Sequence, residues 1–140
     1  MDQTLARCVL MLSHSFTDYT AARMKKLGLH YGALFLVLYL GRHPGCTQAE
    51  LTAALGLDWG HSQRSVLNLA EDGFLHREKI GRSYHLSLTP KGEQAFDVLH
   101  QVFADWDREA MMALTQSEQE LLLTLMAKVS KQVKRKEISR

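Results

Sequence analysis

Four residues between positions 60 and 68 have the chemistry needed to contact the edges of DNA bases. They are Gly60, His61, Arg64 and Asn68. Arginine can donate two hydrogen bonds to guanine, asparagine can pair with adenine, and glycine lets a backbone approach closely. At 3.6 residues per turn these four share one side of a helix, opposite Ser62, Val66 and Leu69. The spacing predicts a helix with a packed inner side and a base-reading outer side, with Gln63 at its flank either joining the base readers or holding a phosphate.

A second polar group lies in the stretch "EKIGRSYHLSLTPKG", Glu78 to Gly92. A charged turn is followed there by a strict alternation of apolar and polar residues. The apolar members, Tyr84, Leu86 and Leu88, are expected to anchor a returning strand on the core. Gly81 permits a tight reversal. The pattern predicts a short hairpin that carries Lys79, Arg82 and Ser83 at or near its tip, where they can contact a DNA backbone or minor groove.

Two short predicted helices precede this hairpin and would position the base-reading side chains. Thr47 and Glu50 have the spacing of a capping box and begin a helix that ends at Leu55. Asp58 caps the next helix, which runs to about Asp72 after the tight turn "LGLD". Two helices and a tight turn followed at once by a hairpin predict a winged helix-turn-helix. That arrangement places its second helix in the DNA major groove.

The remaining helices complete the predicted fold class. Apolar residues recur at steps of three or four from Leu5 to Leu27, and the helix from His30 to Leu40 is apolar nearly all round and must be central. Thr89-Pro90 opens a fifth helix, and a capping box at Thr115 opens a sixth. We predict a mainly α fold with a small β-hairpin (α+β), a six-helix winged helix-turn-helix in a single domain over residues 1–140.

Composition narrows the possible functions further. With 17 basic and 15 acidic residues the net charge is +2, so nucleic-acid binding must depend on local placement of charge. The longest apolar run, Ala33 to Leu40, is shorter than the roughly 20 residues that span a bilayer, and no signal peptide is recognisable. Cys8 and Cys46 form neither a CxxC motif nor a disulfide framework, which fits a reducing compartment. We therefore expect a soluble, cytoplasmic protein without membrane contact.

Catalytic and metal-binding patterns are absent from the sequence. It contains no Walker loop, GxGxxG, HExxH or nucleophile elbow. Its seven histidines are scattered without helical i,i+4 or mixed Cys/His ligand spacing. The sequence predicts a protein that is not an enzyme, with no catalytic residues, no cofactor and no metal site.

Two segments resemble the MarR family of bacterial transcription regulators. Arg82, five intervening residues and "LTPKG" resemble the family's wing signature, although Ile80 stands where the family usually has aspartate. The stretch "LTAALGLDWGHSQRSVLNLAEDGFL" is similar to the family's turn, recognition helix and strand start. The resemblance implies a homodimer, interlocked through its N- and C-terminal helices, that binds pseudo-palindromic duplex DNA. It also implies release of that DNA when a small molecule or an oxidant arrives.

The same resemblance divides the chain into regions. It implies a DNA-binding lobe over residues 30–92 and a helical dimerisation region over residues 1–29 and 93–140. It also implies an effector pocket between the first, second and fifth helices that could take a small aromatic compound such as a phenolic acid. The residues expected there are His14, Tyr31, Phe35 and His100. The function that follows is a homodimeric repressor controlled by an effector.

Several alternatives stay open at this stage. The winged helix could instead dock on a protein, for which Leu67 is the one apolar candidate on the outer side of the recognition helix. Arg64 and Arg82 could be ordinary solvated side chains. Cys8 could sense oxidants, although a buried small hydrophobic residue is the simpler interpretation. A basic C-terminal segment is explained most simply by cations that complement a helix dipole; its members are Lys128, Lys131, Lys134, Arg135 and Lys136.

Overall fold

The computed structural model describes the backbone of residues 3–138 and the side chains of residues 3–135. The Lys136 side chain, which belongs to the predicted basic C-terminal segment, therefore lies outside the described residues. The chain divides into two compact units with the boundary between Phe103 and Ala104.

Helices dominate both units. They are α1 (Leu5–Lys26), α2 (Leu34–Arg42), α3 (Gln48–Ala54), α4 (Trp59–Glu71), α5 (Pro90–Leu99), α6 (Val102–Ala110) and α7 (Gln116–Ile138), with a 3-10 turn (Tyr31–Ala33) before α2. The strands β1 (Cys46–Thr47), β2 (Leu75–Ile80) and β3 (Ser83–Leu88) form one antiparallel sheet in the order β1-β3-β2. The predicted fold class, a mainly helical α+β winged helix-turn-helix, is confirmed.

Two details differ from the prediction. The hairpin gains a third strand, because β1 pairs with β3 through Cys46 opposite Leu86. The predicted fifth helix is divided into α5 and α6 at His100 and Gln101. At this break the Gln101 amide donates to the Val98 carbonyl, three residues back, and the His100 ring nitrogen lies 3.0 Å from the Phe96 carbonyl oxygen. The tighter turn at Gln101 thus interrupts the helical ladder, while the His100 amide keeps its bond to the Phe96 carbonyl.

Side chains with oxygen atoms begin the helices at the predicted positions. Thr47 accepts a hydrogen bond from the Glu50 amide at the start of α3, and Asp58 accepts one from the His61 amide at the start of α4. Before α7 the capping box is complete, because the Glu118 carboxylate also accepts from the Thr115 amide at 2.9 Å. These bonds satisfy backbone donors that have no partner inside the helix.

Helix α2 forms the centre of the first unit, as its composition predicts. Its buried side chains are Leu34, Leu36, Val37, Leu38 and Leu40. Gly41 allows α5 to approach, since a Cβ atom at this position would overlap the Phe96 ring. At the other end of α5, a Cβ on Gly92 would overlap the Phe74 carbonyl oxygen. Two glycines therefore set how closely α5 can pack.

The hairpin of β2 and β3, hereafter the wing, turns through the two residues Gly81 and Arg82. Gly81 has a φ of +65° and Arg82 a negative one, the combination found in a type II′ turn. Leu86 is fully buried at the base of the wing. The expectation that Tyr84 anchors the strand is wrong, because Tyr84 is 38% exposed and its ring lies under the Arg77 guanidinium at 4.0 Å.

Candidate DNA-binding surface

Helix α4 faces the rest of the first unit with the side that the sequence predicts. Ser62, Val66 and Leu69 are buried. The predicted base-reading residues on the other side are all exposed, and they are Gly60, His61, Arg64 and Asn68. The structure therefore brings these four residues together on one solvent-facing surface.

A chain of hydrogen bonds joins α3 to α4 and explains the serine on the packed side. Thr52 donates its hydroxyl proton to the Gln48 carbonyl oxygen at 2.6 Å. The Ser62 hydroxyl lies 2.6 Å from the Thr52 hydroxyl and must donate to it, because Thr52 has only one proton. A buried serine is tolerated because its hydroxyl is satisfied. Trp59, the first residue of α4, is 55% exposed and therefore adds little to this packing.

Gln63 lies at the flank of α4 and is partly buried. Its Oε1 accepts a hydrogen bond of 2.6 Å from Nε2 of Gln48, the first residue of α3. Gln63 is therefore tied to the neighbouring helix, unlike the exposed Arg64 and Asn68.

Gly60 has room around it. A Cβ atom there would lie 3.4 Å from both Arg64 Nη1 and Asp58 Oδ1, which is ordinary contact. The fold itself therefore does not require glycine at position 60. A close approach by another molecule would be a reason to have it there.

At the wing, Lys79, Arg82 and Ser83 are exposed at or beside the turn. Among the residues that the structure describes, Arg82 forms no ion pair, in keeping with Ile80 standing in place of an aspartate. The Lys79 ammonium lies 6.0 Å from the Tyr84 ring centre. The tip thus presents cationic groups to solvent with little side-chain packing around them.

Two basic residues near the surface have structural roles that the sequence did not reveal. Lys91 donates to the Asp72 carbonyl at 2.9 Å, just after α4, and its ammonium lies 4.3 Å from the Phe74 ring centre. Arg77 stacks on Tyr84. Neither pairing has a local sequence pattern, since Lys91 and Asp72 are 19 residues apart.

A cavity of about 140 Å³ lies beside α4. Leu29 and Leu69 contribute apolar walls, and His30, from the segment before α2, lines it together with His61 and Asn68. Sequence reasoning missed this cavity, because it depends on how the segment before α2 packs beside α4.

The four predicted effector residues are not gathered around one cavity in the isolated chain. His14 is exposed and its Nε2 lies 3.4 Å from Asp18, Tyr31 is partly buried, and Phe35 is 48% exposed. These three line separate depressions. His100 is exposed and stacks on Phe96 with ring centres 5.2 Å apart. A shared pocket for these residues remains a prediction.

The two cysteines occupy different environments. Cys8 is exposed on α1, so the expectation that it is a buried small hydrophobic residue is wrong for the single chain. Cys46 is buried in β1, and burial, together with the nearby Glu50 carboxylate, raises the pKa of its thiol. Within the described residues no three His, Cys, Asp or Glu side chains are grouped as metal ligands. None of the helices in residues 3–138 is long and apolar enough to cross a bilayer.

Sequence comparison identifies transcription regulators as relatives of this chain. No protein-family model matches the chain. The chain is 39% identical over 134 residues to the HTH-type transcriptional regulator BilQ of Clostridium symbiosum (strain WAL-14163), covering 94% of this chain and 93% of that protein. It is 24% identical over 121 residues to the BilQ regulator of Clostridioides difficile (strain CD3), covering 83% and 80%.

Solved structures show the same fold. The reduced form of MarR from E. coli is 25% identical and superimposes with a TM-score of 0.77, covering 92% of this chain and 98% of that one. The MepR protein of S. aureus, solved as a DNA complex, is 18% identical with a TM-score of 0.81, covering 94% and 99%. The fold, the helix-turn-helix surface and the 39% identical regulator lead to one conclusion. This chain is a transcription regulator rather than an enzyme, and it belongs to the MarR family of HTH-type transcriptional regulators.

Proposed function

We propose that this regulator is a homodimeric repressor that binds a pseudo-palindromic operator in double-stranded DNA and releases it when a small molecule binds. The observation that carries the proposal is the division of α4 into two sides. Val66 and Leu69 fix the helix on the first unit, while Arg64 and Asn68 face solvent on the opposite side. A helix so oriented can enter a major groove with its base-reading side chains foremost.

The wing supplies the second contact in this proposal. Lys79, Arg82 and Ser83 are exposed around the turn, at a distance from the packed base of the hairpin. A guanidinium at such a tip can contact phosphates or enter a narrow minor groove, where negative potential is concentrated. The MepR structure, which shares this fold, was solved as a complex with DNA, and this supports DNA as the partner of this chain.

Docking on a protein is the alternative use of this surface. Leu67 and Trp59 are the exposed apolar side chains described on α4, and polar or charged groups separate them. A protein-binding helix normally presents a continuous apolar stripe. The chemistry of α4 therefore favours DNA.

Dimerisation is supported by apolar surface that each terminal helix leaves exposed in the single chain. On α1 the exposed side chains are Leu5, Val9, Leu10, Met11 and Leu12. On α7 they are Leu121, Leu122, Leu123, Leu125, Val129 and Val133. Contiguous apolar surface of this kind marks an interface. We propose that residues 1–29 and 93–140 form the dimerisation region and residues 30–92 the DNA-binding lobe.

A homodimer would present two copies of α4. Two-fold symmetry then requires a pseudo-palindromic operator, whose half-sites lie about one helical turn apart, roughly 34–36 Å from centre to centre. Such a site overlapping a promoter would block transcription, which gives the repressor role.

The effector that we propose is a small aromatic compound. A depression of about 170 Å³ beside α2 is lined by Phe35, Tyr39, Arg42, His43 and Phe103. Aromatic walls and a guanidinium suit a planar ring that carries an acidic group. His14, Tyr31 and His100 complete the residues that we expect to influence effector binding. Coupling is reciprocal, so an effector weakens DNA binding only by its difference in affinity for the two states.

Two measurements test this function. Sedimentation should give a dimer, and a species of 15.9 kDa at micromolar concentration would contradict the dimer and the palindromic operator together. Binding to the operator should weaken steeply with salt, because phosphate contacts release counterions. Binding that is insensitive to salt would favour the protein-docking alternative.

Repression and release are tested in the same system. Transcription from a promoter that contains the operator should fall when the protein is added and recover with a phenolic acid. Phe35→Ala should reduce the recovery, while Val98→Ala on α5, at a residue of similar exposure outside the depression, serves as a control. Release that is unaffected by any aromatic acid would remove the effector from the proposal.

A further inference from the structure

Gln48 is an unusual residue for the start of a short helix. It is 2% exposed, and its Nε2 donates to Gln63 Oε1 on α4 at 2.6 Å. Its own carbonyl oxygen, Oε1, is buried and has no hydrogen-bond partner among the described residues. An unpartnered buried carbonyl is unfavourable, so packing alone is a poor reason for glutamine at this position.

The bond determines which part of the Gln63 amide remains free. A glutamine amide has one accepting oxygen and one donating amino group. Because the oxygen of Gln63 already accepts one hydrogen bond from Gln48, the amino group is the end of the amide that still lacks a partner among the described residues. Gln63 is only partly buried and precedes Arg64, at the flank of the exposed side of α4.

We propose that Gln48 is a positioning residue that holds Gln63 with its amino group toward DNA. Gln63 then donates to a hydrogen-bond acceptor of the duplex. The acceptors available are N7 or O6 of guanine, N7 of adenine, O4 of thymine, or a phosphate oxygen. This inference rests on the proposed DNA-binding function and goes beyond it by fixing the direction of one hydrogen bond.

A second contact holds the same two helices together. The effect of Gln48 on the orientation of Gln63 can therefore be separated from any effect on the attachment of α4 to α3. Ser62 and Thr52 already join α4 to α3 through buried hydroxyl groups, and Val66, one turn after Ser62, is also buried. Loss of the Gln48 amide therefore leaves α4 in place. Its effect should appear in DNA recognition and not in folding.

Two isosteric variants test the pair. Gln48→Met keeps a long side chain but removes its hydrogen bonds and its unpartnered carbonyl, so the melting temperature should stay the same or rise. Gln48→Met and Gln63→Met should each weaken operator binding about three- to tenfold, the value of one neutral hydrogen bond. The double variant should bind no worse than Gln63→Met alone, because Gln48 acts through Gln63.

A panel of operators with single base changes distinguishes the two kinds of acceptor. If Gln63 contacts a base edge, both variants lose preference at the same position of each half-site. If it contacts a phosphate, both lose affinity for every duplex equally. Either outcome supports a contact made by Gln63, and the direction of that contact is then tested by Gln63→Glu.

Gln63→Glu provides the inverse test. One carboxylate oxygen can still accept from Gln48 Nε2, while the group left toward DNA becomes an acceptor. At a base contact the preference should move toward the amino groups of cytosine or adenine, and at a phosphate affinity should fall below that of Gln63→Met.

Arg64→Ala is the control that separates failure of this inference from failure of the proposed function. If Arg64→Ala binds the operator as tightly as the wild type, α4 does not read DNA and the proposed function fails. If Arg64→Ala is weakened but Gln48→Met binds every duplex normally, only the inference is overturned. It is also overturned if the losses of Gln48→Met and Gln63→Met add in the double variant.

Discussion

Helix α4 and the tip of the wing both present arginine to solvent, yet the structure supports them very differently. Arg64 is carried by a helix whose opposite side is buried through Ser62, Val66 and Leu69 and is hydrogen-bonded to α3. Around Arg82, the residues from Glu78 to Tyr84 are all exposed. The tip is held by backbone pairing and by a glycine turn.

This difference bears on what each arginine can do. Reading a base edge requires a donor held within a few tenths of an ångström, which a packed helix provides. Contact with phosphates or a minor groove tolerates movement, because the potential there varies smoothly. We therefore assign sequence discrimination to α4 and general affinity to the wing, and the following predictions test that division.

The largest expected effect concerns packing. Leu69→Ala on α4 should reduce the free energy of unfolding by about 2–5 kcal/mol, because it leaves a cavity in the core. Ile80→Ala on the wing should change it by less than about 0.5 kcal/mol, since Ile80 is 54% exposed. Chemical denaturation of both variants measures the contrast. Equal losses would show that the wing tip is packed as firmly as α4.

Removal of the helix arginine should impair discrimination. Arg64→Ala should cost about 1–3 kcal/mol of binding free energy on the operator and relax the preference at one position of each half-site. The variant should remain folded, because Arg64 is exposed. Affinities for the operator, its single-base variants and a random duplex provide the test. A uniform loss on all duplexes would reassign Arg64 to phosphate contact.

Removal of the wing arginine should have a different signature. Arg82→Ala should weaken binding to operator and random duplex alike, and the slope of log affinity against log salt should become shallower by about one phosphate equivalent. Titrations across a salt series with the folded variant check this. Unchanged affinity would mean that the wing does not contact DNA.

One glycine in α4 and one in the wing test the same comparison through smaller changes in stability. Gly60→Ala should stabilise the protein by about 0.5–1 kcal/mol, because Gly60 is helical and has room for a Cβ atom. Gly81→Ala should destabilise it by about 1 kcal/mol or more, because the φ of +65° strains any other residue. If Gly60 allows close approach of DNA, Gly60→Ala should also bind the operator more weakly. Melting curves and operator titrations of both variants test these outcomes.

The smallest effect concerns the base of the wing. The pKa of Cys46 is raised above its ordinary value of 9.0, chiefly by burial and then by Glu50. A raised pKa in the folded state gives stability that is fully present below 9.0 and is lost as pH rises through the folded value. Stability should thus decline slightly more steeply above pH 9.0 in the wild type than in Cys46→Ala. Parallel slopes would show that the thiol does not titrate differently on folding.

The amino-acid sequence alone determined the local features of this protein. Apolar spacing identified the packed side of α4, and oxygen-bearing residues identified the starts of α3, α4 and α5. The wing signature around Arg82 identified the family. Each of these depends on residues within one or two turns or on a fixed motif, so neighbouring positions contain the necessary information.

Tertiary structure alone decided which distant residues meet. The pairing of Cys46 with Leu86, the bond from Lys91 to the end of α4 and the pair of Gln48 with Gln63 join residues that are 15 or more positions apart. Tyr84 stands at an apolar position of the alternating pattern, where a buried side chain is expected. Its side chain is nevertheless 38% exposed and stacks against the Arg77 guanidinium. Such contacts depend on how helices and strands pack in three dimensions, and periodicity along the chain does not specify that packing.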